Sequence, residues 1–455
     1  MKTDTIAAIA TGMSNSGIGI VRISGEQAFS VIDSIFRNRK GERVRLSLSQ
    51  SHTVHYGYIY DGDEKVDEAL VIIMKGPHSY TAEDTVEIDC HGGVLMVRRI
   101  LETVLHAGAR TAEPGEFTKR AFLNGRLDLS QAEAVADVIH ATNEYALKSS
   151  VSQLSGSVSA KIKELRSRIL YQIAFIESAL DDPEHISLDG YGSRLMDDLV
   201  PMIGEVRKLL LSADDGRVMS EGVKTVILGK PNAGKSSLMN VLLGEERAIV
   251  TEIAGTTRDT LEEHIYLQGI SLNVVDTAGI RDTEDVVEKI GVDRAMKAAR
   301  DADLIIYVVD GSRPLDESDR EIIEFIRDRK TIVLLNKSDL DLEVGTAELE
   351  QICGHKVIPV SAKEEQGIEL LEKLFYHGDL SFNDQVYITN ARHKEALEQC
   401  LESLLMVKGS VEDSMPEDFY SIDLMNAYEQ LGFIIGEAVD DDVVNEIFAK
   451  FCMGK

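Results

Sequence analysis

A glycine-rich loop that ends in lysine and serine is the segment of this sequence with the clearest chemistry. Gly229, Gly234, Lys235 and Ser236 stand in the pattern G-x-x-x-x-G-K-S, after the apolar run T-V-I-L and before K-S-S-L-M-N-V-L-L. A strand therefore enters the loop and a helix leaves it. Backbone N–H groups at such a helix start bind phosphates, the lysine contacts the β- and γ-phosphates, and the serine hydroxyl ligates Mg²⁺. The loop predicts a nucleotide site that uses Mg²⁺.

Three later segments fit the same site in order and spacing. D-T-A-G begins at Asp276, which can hold the magnesium shell, and the N–H of Gly279 can sense the γ-phosphate. N-K-S-D ends at Asp339, whose carboxylate can accept hydrogen bonds from N1–H and the 2-amino group of guanine. Adenine lacks this donor pair and would leave the carboxylate unpaired. S-A-K at 361–363 supplies a loop beside the base, so the set predicts binding of GTP or GDP.

A threonine pair lies in the loop between the first helix of this region and its next strand, in T-T-R-D at 256–259. We expect Thr257 to complete the magnesium site only when a γ-phosphate is present, which makes this a switch loop. Many GTPases place Gln after DxxG to orient the attacking water, but Ile280 holds that position here. Glu288 is a candidate base, although by chemistry alone an acid in this acidic stretch is more often a solvated one.

The patterns around these motifs predict a multidomain fold. Residues 1–119 mix short strand-like runs with a helical segment and predict an α+β domain. Apolar residues at spacings of three and four predict an all-α helical domain, with a first part at 120–217 and a second at 380–455. Between them, residues 218–379 alternate strands and helices, which predicts an inserted Ras-like α/β P-loop GTPase domain. The run S-Q-A-E predicts a capping box with Ser130 as the helix cap.

Composition excludes several classes of protein. The formal net charge of −30 disfavours a general nucleic-acid coat, though it leaves room for a local basic patch that recognises one folded RNA. The four cysteines are far apart, which argues against a disulfide framework or zinc site, and Cys90, Cys353 and Cys400 are expected in cores. We find neither a run of about 18 apolar residues nor a signal peptide, so a cytoplasmic protein without a membrane span is expected.

Further segments resemble one family along essentially the whole chain. They are D-T-I-A from Asp4, G-I-V-R-I-S-G from Gly19, P-G-E-F-T-K-R-A-F-L-N from Pro114, L-D-L-S-Q-A-E-A from Leu127, I-A-G-T-T-R-D from Ile253 and F-C-M-G-K from Phe451. With the nucleotide motifs, they resemble the TrmE/MnmE family of tRNA-modification GTPases. The C-x-G-K signature is the most specific of these segments, because the nucleotide motifs alone fit many GTPases.

The resemblance implies an activity that the nucleotide motifs do not give. Members of this family act with a flavin-containing partner, MnmG (GidA), with which they form a heterotetramer. Together they add an aminomethyl or carboxymethylaminomethyl group to carbon 5 of the wobble uridine, position 34, of certain tRNAs. The implied carbon donor is a tetrahydrofolate derivative, 5-formyl- or 5,10-methylene-tetrahydrofolate. The resemblance also implies a homodimer formed through N-terminal folate-binding domains.

Four residues match the folate-contacting positions of the family: Arg22, Glu87, Arg126 and Lys455. Relatives can carry Lys where this chain has Arg126, and the positive charge is kept. Without the family, each arginine would be read as a surface residue in a salt bridge. Cys452, in the terminal signature, is a candidate catalytic thiol near the folate, with a buried anchor for the last helix as the alternative.

The resemblance also implies how hydrolysis proceeds without the usual glutamine. The family's GTPase domains dimerise across their nucleotide faces and bind K⁺ where an arginine finger would otherwise lie. Asn232 matches the side-chain ligand of that ion, while Thr251, Ile253 and Thr256 match positions that offer backbone oxygens. Glu288 matches the catalytic glutamate that orients the water.

The motifs and the resemblance together define a predicted GTP site. Its residues are Asn232, Ala233, Gly234, Lys235, Ser236, Ser237, Thr251, Glu252, Ile253, Ala254, Gly255, Thr256, Thr257, Asp276, Thr277, Ala278, Gly279, Asn336, Lys337, Asp339, Ser361, Ala362 and Lys363, with Ser236 and Thr257 on Mg²⁺. Two other functions remain open from the residues. One is a regulatory or ribosome-assembly GTPase without one-carbon chemistry, and the other is a folate-dependent transferase that acts alone.

Overall fold

The computed structural model describes residues 4–141, 143–244, 263–267, 270–274, 296, 298–375, 388–437, 439, 441–449, 451 and 454. The chain divides into two compact units, each made of separate segments. Unit 1 comprises Met1–His140, Ser149–Leu210 and Asn390–Lys455, and unit 2 comprises Ala141–Lys148 and Leu211–Thr389. The domain boundaries expected from the sequence, at 119, 217 and 379, stay predictions.

A seven-stranded sheet forms the N-terminal part of unit 1. Its strands are β1 (Ile6–Ile9), β2 (Ile18–Ser24), β3 (Phe36–Asn38), β4 (Thr53–Asp61), β5 (Glu64–Met74), β6 (Thr85–His91) and β7 (Arg110–Thr111). The spatial order is β3-β4-β5-β6-β2-β1-β7. The neighbours are antiparallel except for β1 and β7, which are parallel.

One face of this sheet packs on two helices, α1 (Ala28–Ile35) and α2 (Val94–His106). Alternate strand residues such as Val21 and Ile88 share a core with Ile100 of α2. Strand residues of alternating burial place one side of each strand in this core. The mixed α+β fold expected for this region is confirmed.

The opposite face of the sheet carries polar residues. Arg22 and Glu87 lie directly across from each other on β2 and β6, and both are partly exposed. Near β1 this face is covered by Phe117 from α3 (Glu116–Leu123), which packs with Ala8. The sheet thus offers a polar surface beside an apolar wall.

Four helices continue unit 1 and lead into unit 2. They are α4 (Leu129–His140), α5 (Glu144–Leu154), α6 (Ser157–Asp181) and α7 (Tyr191–Glu221). Helix α6 buries one side along its length, at Ile162, Leu165, Ile169, Ile173 and Ile176. These spacings of three and four place the residues on one stripe, as the helical pattern predicts.

The capping box expected at Ser130 is wrong. Asp128 accepts a hydrogen bond from the backbone N–H of Gln131 (3.1 Å), and the Gln131 side chain accepts one from the N–H of Asp128 (3.1 Å). Because helix α4 begins at Leu129, Ser130 lies inside its first turn, and its hydroxyl donates to Asp128 (2.7 Å). Glu133 is buried instead of capping. The carboxylate that precedes the helix makes the reciprocal cap.

Unit 2 is built around a six-stranded sheet. The strands are β8 (Val223–Leu228), β9 (Glu263–Leu267), β10 (Ile270–Val274), β11 (Leu304–Asp310), β12 (Thr331–Asn336) and β13 (Val357–Pro359), and the helices are α8 (Lys235–Leu242), α9 (Glu317–Ile326), α10 (Thr346–Cys353) and α11 (Ile368–Phe375). The order is β13-β12-β11-β8-β10-β9, with β9 alone antiparallel to its neighbour among the described strands. Apolar cores cover both faces, so the predicted α/β fold is confirmed.

The chain then returns to unit 1 in three helices, α12 (Ala391–Glu412), α13 (Glu417–Ile435) and α14 (Asp441–Ala449). Helix α13 packs against α12, α6 and α4, which completes the helical part of the unit. Cys90, Cys353 and Cys400 are free thiols in buried positions, as predicted. In the described part of the chain, no helix combines the length and hydropathy that crossing a membrane requires.

Candidate functional site

The glycine-rich loop connects the end of β8 to the first turn of α8. Gly229 has a φ of 151°, and a Cβ there would lie 2.4 Å from the carbonyl oxygen of Val308. Gly234 precedes α8 with a φ of 96°, and a Cβ there would lie 2.0 Å from Nδ2 of Asn336. Only glycine fits both the left-handed backbone and these close approaches. The loop can therefore wrap closely around a phosphate, as the motif predicts.

Lys235 lies at the start of α8 with its ammonium group turned back over the loop. Its Nζ donates to the carbonyl oxygens of Gly229 (2.7 Å) and Lys230 (2.8 Å). Burial lowers the pKa of Lys235 to about 8. Phosphate oxygens are charged acceptors and bind an ammonium more strongly than neutral carbonyls do. A bound nucleotide can therefore take over these hydrogen bonds.

Ser236 follows Lys235 in the first turn of α8, where the helix dipole favours anions. Its hydroxyl is a hard oxygen ligand of the kind that Mg²⁺ accepts together with phosphate oxygens and water. The described part of the loop thus fits the magnesium ion that GTP carries. Mg²⁺ bound there would neutralise charge on the phosphates.

Asn336, at the end of β12, links the three predicted motifs of the site. Its Nδ2 donates to the carbonyl oxygen of Ala233 in the loop (2.7 Å). Its Oδ1 accepts from the backbone N–H of Ala362 in the S-A-K segment (3.0 Å). The buried amide therefore fixes the phosphate loop against the base loop.

The base side of the site is held by two acidic residues. Asp339 accepts a hydrogen bond from the Ser361 hydroxyl (2.6 Å), which lowers the pKa of Asp339, and its carboxylate is solvent-accessible. Lys337 has a φ of 64°, and its Nζ lies 2.6 Å from Oδ2 of Asp310. An ionised, oriented carboxylate at Asp339 is the group that guanine recognition requires.

The remaining described residues of the predicted GTP site lie on its rim. Asn232 is exposed with a φ of 62°, Ser237 is exposed on α8, and Lys363 is exposed beside Glu364. The other predicted positions lie outside the described residues: Thr251, Glu252, Ile253, Ala254, Gly255, Thr256, Thr257, Asp276, Thr277, Ala278, Gly279 and Glu288, and, at the C-terminal end, Cys452 and Lys455.

A second cluster lies on the polar face of the N-terminal sheet. Nε of Arg22 donates to Oε1 of Glu87 (2.7 Å), and Nη1 of Arg22 donates to the carbonyl oxygen of Gly454 (3.4 Å). The guanidinium carbons of Arg22 and Arg126 lie 5.1 and 4.7 Å from the ring centre of Tyr80. Three of the predicted folate residues and the neighbour of the fourth, Lys455, are thus brought together.

Sequence reasoning missed three residues that shape these clusters. Tyr80 lies within cation–π distance of both arginines, and its hydroxyl is 2.8 Å from that of Thr118. Phe117 packs 5.6 Å from the Arg22 guanidinium. Asp310 could have been found, because it ends a hydrophobic strand of a parallel sheet, where ligands bind. The contacts of Tyr80 and Phe117 join residues far apart in sequence, so no local sequence pattern predicts them.

Two family models match the chain. One, described as GTP-binding protein TrmE N-terminus, matches residues 5–126, and the other, described as MnmE helical domain, matches residues 129–452. The tRNA modification GTPase MnmE of Lachnoclostridium phytofermentans is 60% identical over 459 residues and covers 100% of both chains. The chain belongs to the MnmE family of tRNA modification GTPases. Because the match covers the full length of both chains, it includes the residues of both clusters.

Other MnmE proteins are similar over the same length. Those of Alkaliphilus oremlandii and Clostridioides difficile are 48% and 47% identical, each with 99% of both chains covered. Among solved structures, the G domains of the FeoB iron transporter of T. maritima and of FeoB of Methanococcus jannaschii are 29% and 27% identical. Each covers 33% of this chain, and 94% and 96% of its own, with a TM-score of 0.25. As a member of the MnmE family, the chain is a P-loop GTPase.

Proposed function

We propose that this MnmE-family chain is a K⁺-stimulated GTPase that modifies the wobble uridine, position 34, of certain tRNAs. With a flavin-containing MnmG (GidA) partner, it adds an aminomethyl or carboxymethylaminomethyl group to carbon 5 of that base. A tetrahydrofolate derivative, 5-formyl- or 5,10-methylene-tetrahydrofolate, occupies the N-terminal site. GTP hydrolysis drives or times the conformational change that accompanies the chemistry.

The observation that carries this proposal is the convergence of Arg22, Glu87 and Arg126 beside Gly454 on one sheet face. Arg22 is neutralised by Glu87, whereas Arg126 lies exposed over an aromatic ring. An exposed guanidinium fits the carboxylates of a folate glutamate, and Glu87 can accept from ring N–H donors. Lys455, next to Gly454 in sequence, adds a further cation to the proposed folate site.

Two catalytic roles belong to residues beyond the described part of the chain. Glu288 orients the water that attacks the γ-phosphate. Cys452 contributes a thiol close to the folate, either in the chemistry or as an anchor for the last helix. The proposed second Mg²⁺ ligand beside Ser236 is Thr257, which engages the ion with GTP bound.

The proposed K⁺ site lies at the dimer face of the GTPase domain. The exposed side chain of Asn232, on a left-handed position of the phosphate loop, is accessible to an ion. Backbone oxygens of Thr251, Ile253 and Thr256 complete the set. K⁺ held there adds positive charge at the phosphates in the transition state, where other GTPases use an arginine.

The chain acts as a homodimer in the cytoplasm, joined through its N-terminal domains, and it assembles with MnmG as a heterotetramer that acts on tRNA. The net charge of −30 makes a basic partner surface or a locally basic patch the place of tRNA contact. This partner set separates the proposal from a regulatory or ribosome-assembly GTPase without one-carbon chemistry.

Mass spectrometry of nucleosides from bulk tRNA tests the proposed modification. A strain that lacks the gene should lose the 5-aminomethyl-type wobble uridines and regain them with the intact gene. Complementation with Cys452→Ser distinguishes a chemical role of the thiol from an anchor. Unchanged nucleosides, in a strain without a second enzyme that makes them, would refute the modification and leave the GTPase standing.

Isothermal titration with 5-formyltetrahydrofolate tests the site directly. We expect Arg126→Ala to weaken binding at least tenfold, because a charged hydrogen bond contributes about 1.5–3 kcal/mol. Arg98→Ala, which removes an exposed arginine of helix α2, is the matched control and should bind as the parent does. Absence of any binding heat in the parent favours the assembly-GTPase alternative.

A further inference from the structure

Three side chains follow one another along the polar face of strand β6, two residues apart. Val86, Ile88 and Cys90 point into the core, and the alternate positions Glu87, Asp89 and His91 face the other way. The pairing register places them opposite Arg22, Ile20 and Ile18 of β2. Since an antiparallel strand rises about 3.4 Å per residue, the three side chains follow about 14 Å of this face. The line starts at the proposed folate site.

His91, at the far end of this line, is held by a buried carboxylate. Its Nδ1 lies 2.8 Å from Oδ1 of Asp67, and its backbone N–H donates to Oδ2 of the same residue (3.0 Å). The Asp67 side chain is 7% exposed and that of His91 is 70% exposed. Because an ionised carboxylate only accepts hydrogen bonds, the proton lies on Nδ1 and the lone pair on Nε2. Nε2 is therefore available to a substrate.

Asp89 lies between Glu87 and His91 and carries an unused hydrogen-bond acceptor. Its Oδ1 is buried and, within the described part of the chain, makes no hydrogen bond. Burial, and then the charge of Glu87, raise the pKa of Asp89. A buried polar atom without a partner destabilises the fold, so a donor from a ligand fits here.

The flanks of this line are apolar and open. Ile18, opposite His91 on β2, is 61% exposed, and Leu70, opposite Asp89 on β5, is 42% exposed. Apolar side chains on both sides of a polar line can hold a planar ring, while the polar atoms fix its orientation.

We propose that the one-carbon site extends along β6 to Asp89 and His91, and that Nε2 of His91 accepts the proton that leaves carbon 5 of the uridine. This inference rests on the proposed function. Asp67 is the positioning residue that fixes the imidazole, and Asp89 binds an N–H donor of the base or the folate. The ligand is a pyrimidine base stacked beside a folate one-carbon carrier.

The step balances without an oxidant. The electron pair of the C5–C6 double bond of the base forms the new bond to the methylene carbon of 5,10-methylene-tetrahydrofolate, and one carbon–nitrogen bond of that carrier breaks. The released folate nitrogen takes up those electrons and a proton from water. The C5–H bond then returns its electrons to the ring, and its proton passes to Nε2. The imidazolium that forms is stabilised by the Asp67 carboxylate.

Release of tritium from tRNA that carries [5-³H]uridine measures this proton loss directly. The assay uses the full chain with MnmG and 5,10-methylene-tetrahydrofolate. His91→Asn is the informative variant, because the asparagine amide N–H can still donate to Asp67 while Nε2 is lost. We expect release to fall at least 100-fold. The melting temperature should stay that of the parent, and the Kd for 5-formyltetrahydrofolate should stay within about twofold of the parent value.

A matched control is available in the same unit. His106 on α2 is an exposed histidine whose Nδ1 lies 3.4 Å from Asp61, on a different element from the β6 line. His106→Asn should release tritium at the parent rate. If His91→Asn also keeps that rate, His91 has only a structural role and the inference is overturned.

The pH profile separates proton transfer from positioning alone. The rate of tritium release by the parent should rise with pH until His91 is deprotonated. This rising part of the pH profile (the limb) should be missing in His91→Asn. Asp67 and Glu68 on β5 and Asp89 on β6 are the acidic groups near the imidazole, and the hydrogen bond with Asp67 raises the pKa of His91. Asp67→Asn should therefore move the limb to lower pH.

A parent that releases no tritium refutes the proposed function itself, whereas an active parent with an equally active His91→Asn refutes only this extension.

Discussion

The ammonium group of Lys337 lies 2.6 Å from the buried carboxylate of Asp310, across two neighbouring parallel strands whose last residues, Asp310 and Asn336, are paired in register. Burial works against the charge of Asp310, but hydrogen bonds from Lys337 and Ser312 hold the pKa of Asp310 below its ordinary value. This ion pair anchors the loop that carries Asp339. The guanine side of the site thus depends on a residue outside the recognised nucleotide motifs.

Asp310→Asn should weaken GDP binding about tenfold. The substitution keeps the side-chain shape but removes the charge that holds Lys337, and a hydrogen bond to a charged group contributes about 1.5–3 kcal/mol. Fluorescent GDP titration measures the loss. Asp328→Asn, at an exposed position after α9, is the control and should bind as the parent does. Equal affinity in both variants would show that the pair does not support the base loop.

Gly234→Ala should remove nucleotide binding. A Cβ at this φ of 96° would lie 2.0 Å from Nδ2 of Asn336, so the loop and the Asn336 side chain must move apart. Backbone strain of this kind costs about 1–3 kcal/mol before the lost contacts are counted. Gly204→Ala in α7, where a Cβ meets open space, should leave binding intact and stabilise the helix by up to about 1 kcal/mol. Wild-type GDP affinity in Gly234→Ala would contradict the geometry.

GDP affinity should fall as pH rises through about 8. Burial depresses the pKa of Lys235 to about 8, so the free protein holds a charged lysine below this pH and loses the charge above it. Phosphate binding needs the charged form, and Kd should therefore rise by up to tenfold per pH unit above pH 8. Lys235→Arg, which stays charged, isolates this effect from titration of the guanine ring. Parallel pH profiles for the two proteins would exclude Lys235 as the cause.

Glu133→Gln should destabilise unit 1 by about 3 kcal/mol. Despite burial, hydrogen bonds from His393 (2.9 Å) and Arg392 (2.8 Å) lower the pKa of Glu133 to about 2. Removing one partner of a buried pair leaves the other charges uncompensated. Hydrogen exchange of α4 and α12 measures the change, and Glu398→Gln on the exposed side of α12 is the control.

The same carboxylate predicts a pH dependence. Because the folded pKa of Glu133 is depressed, its stabilising effect is complete above the unfolded pKa of about 4.3 and is lost as pH falls towards 2. The parent should lose protection in α4 between pH 4.3 and 2 more steeply than Glu133→Gln does. Identical acid profiles would count against the pair.

GTP turnover should be several-fold faster in K⁺ than in Na⁺ at equal ionic strength, and Asn232→Ala should abolish the difference. Asn232 is exposed, so the truncation should leave the fold intact. A steady-state phosphate-release assay in the two salts measures the ratio. Equal rates of the parent in the two salts would refute the potassium assignment. If Asn232→Ala still responds to K⁺, other residues bind the ion.

Local patterns predicted most of this fold because they report on local structure. The strand–loop–helix context of Lys235, the parallel α/β sheet and the long apolar stripe of α6 all follow from spacing within a segment. The cap expected at Ser130 is wrong because the capping residue depends on where the first helical turn begins, and the side chain of Asp128 caps that turn.

Sequence patterns do not predict which side chains of distant segments meet in the fold. Arg22 meets Glu87 only because β2 and β6 pair in one register, although the residues are 65 positions apart. The pair Lys337–Asp310 and the anchoring of His91 by Asp67 likewise join separate strands. The resemblance to a family supplies Arg22, Glu87 and Arg126, and the place of Asp310 at the end of a hydrophobic strand marks it in the sequence. The roles of Tyr80 and Asp67 become visible only in three dimensions.

Because unit 1 is made of separate chain segments, helices that pack together in it are synthesised at different times. Helix α6 buries its apolar stripe against α13, and Glu133 pairs with Arg392, yet all of Leu211–Thr389 is translated between these partners. At about 5–20 residues per second, this takes about 10–40 s. Throughout this interval the stripe of α6 has no α13 to cover it on the ribosome. The nascent helical part therefore exposes an apolar stripe until α13 is made, whereas the described strands of the GTPase sheet lie within one stretch of the chain, 223–359.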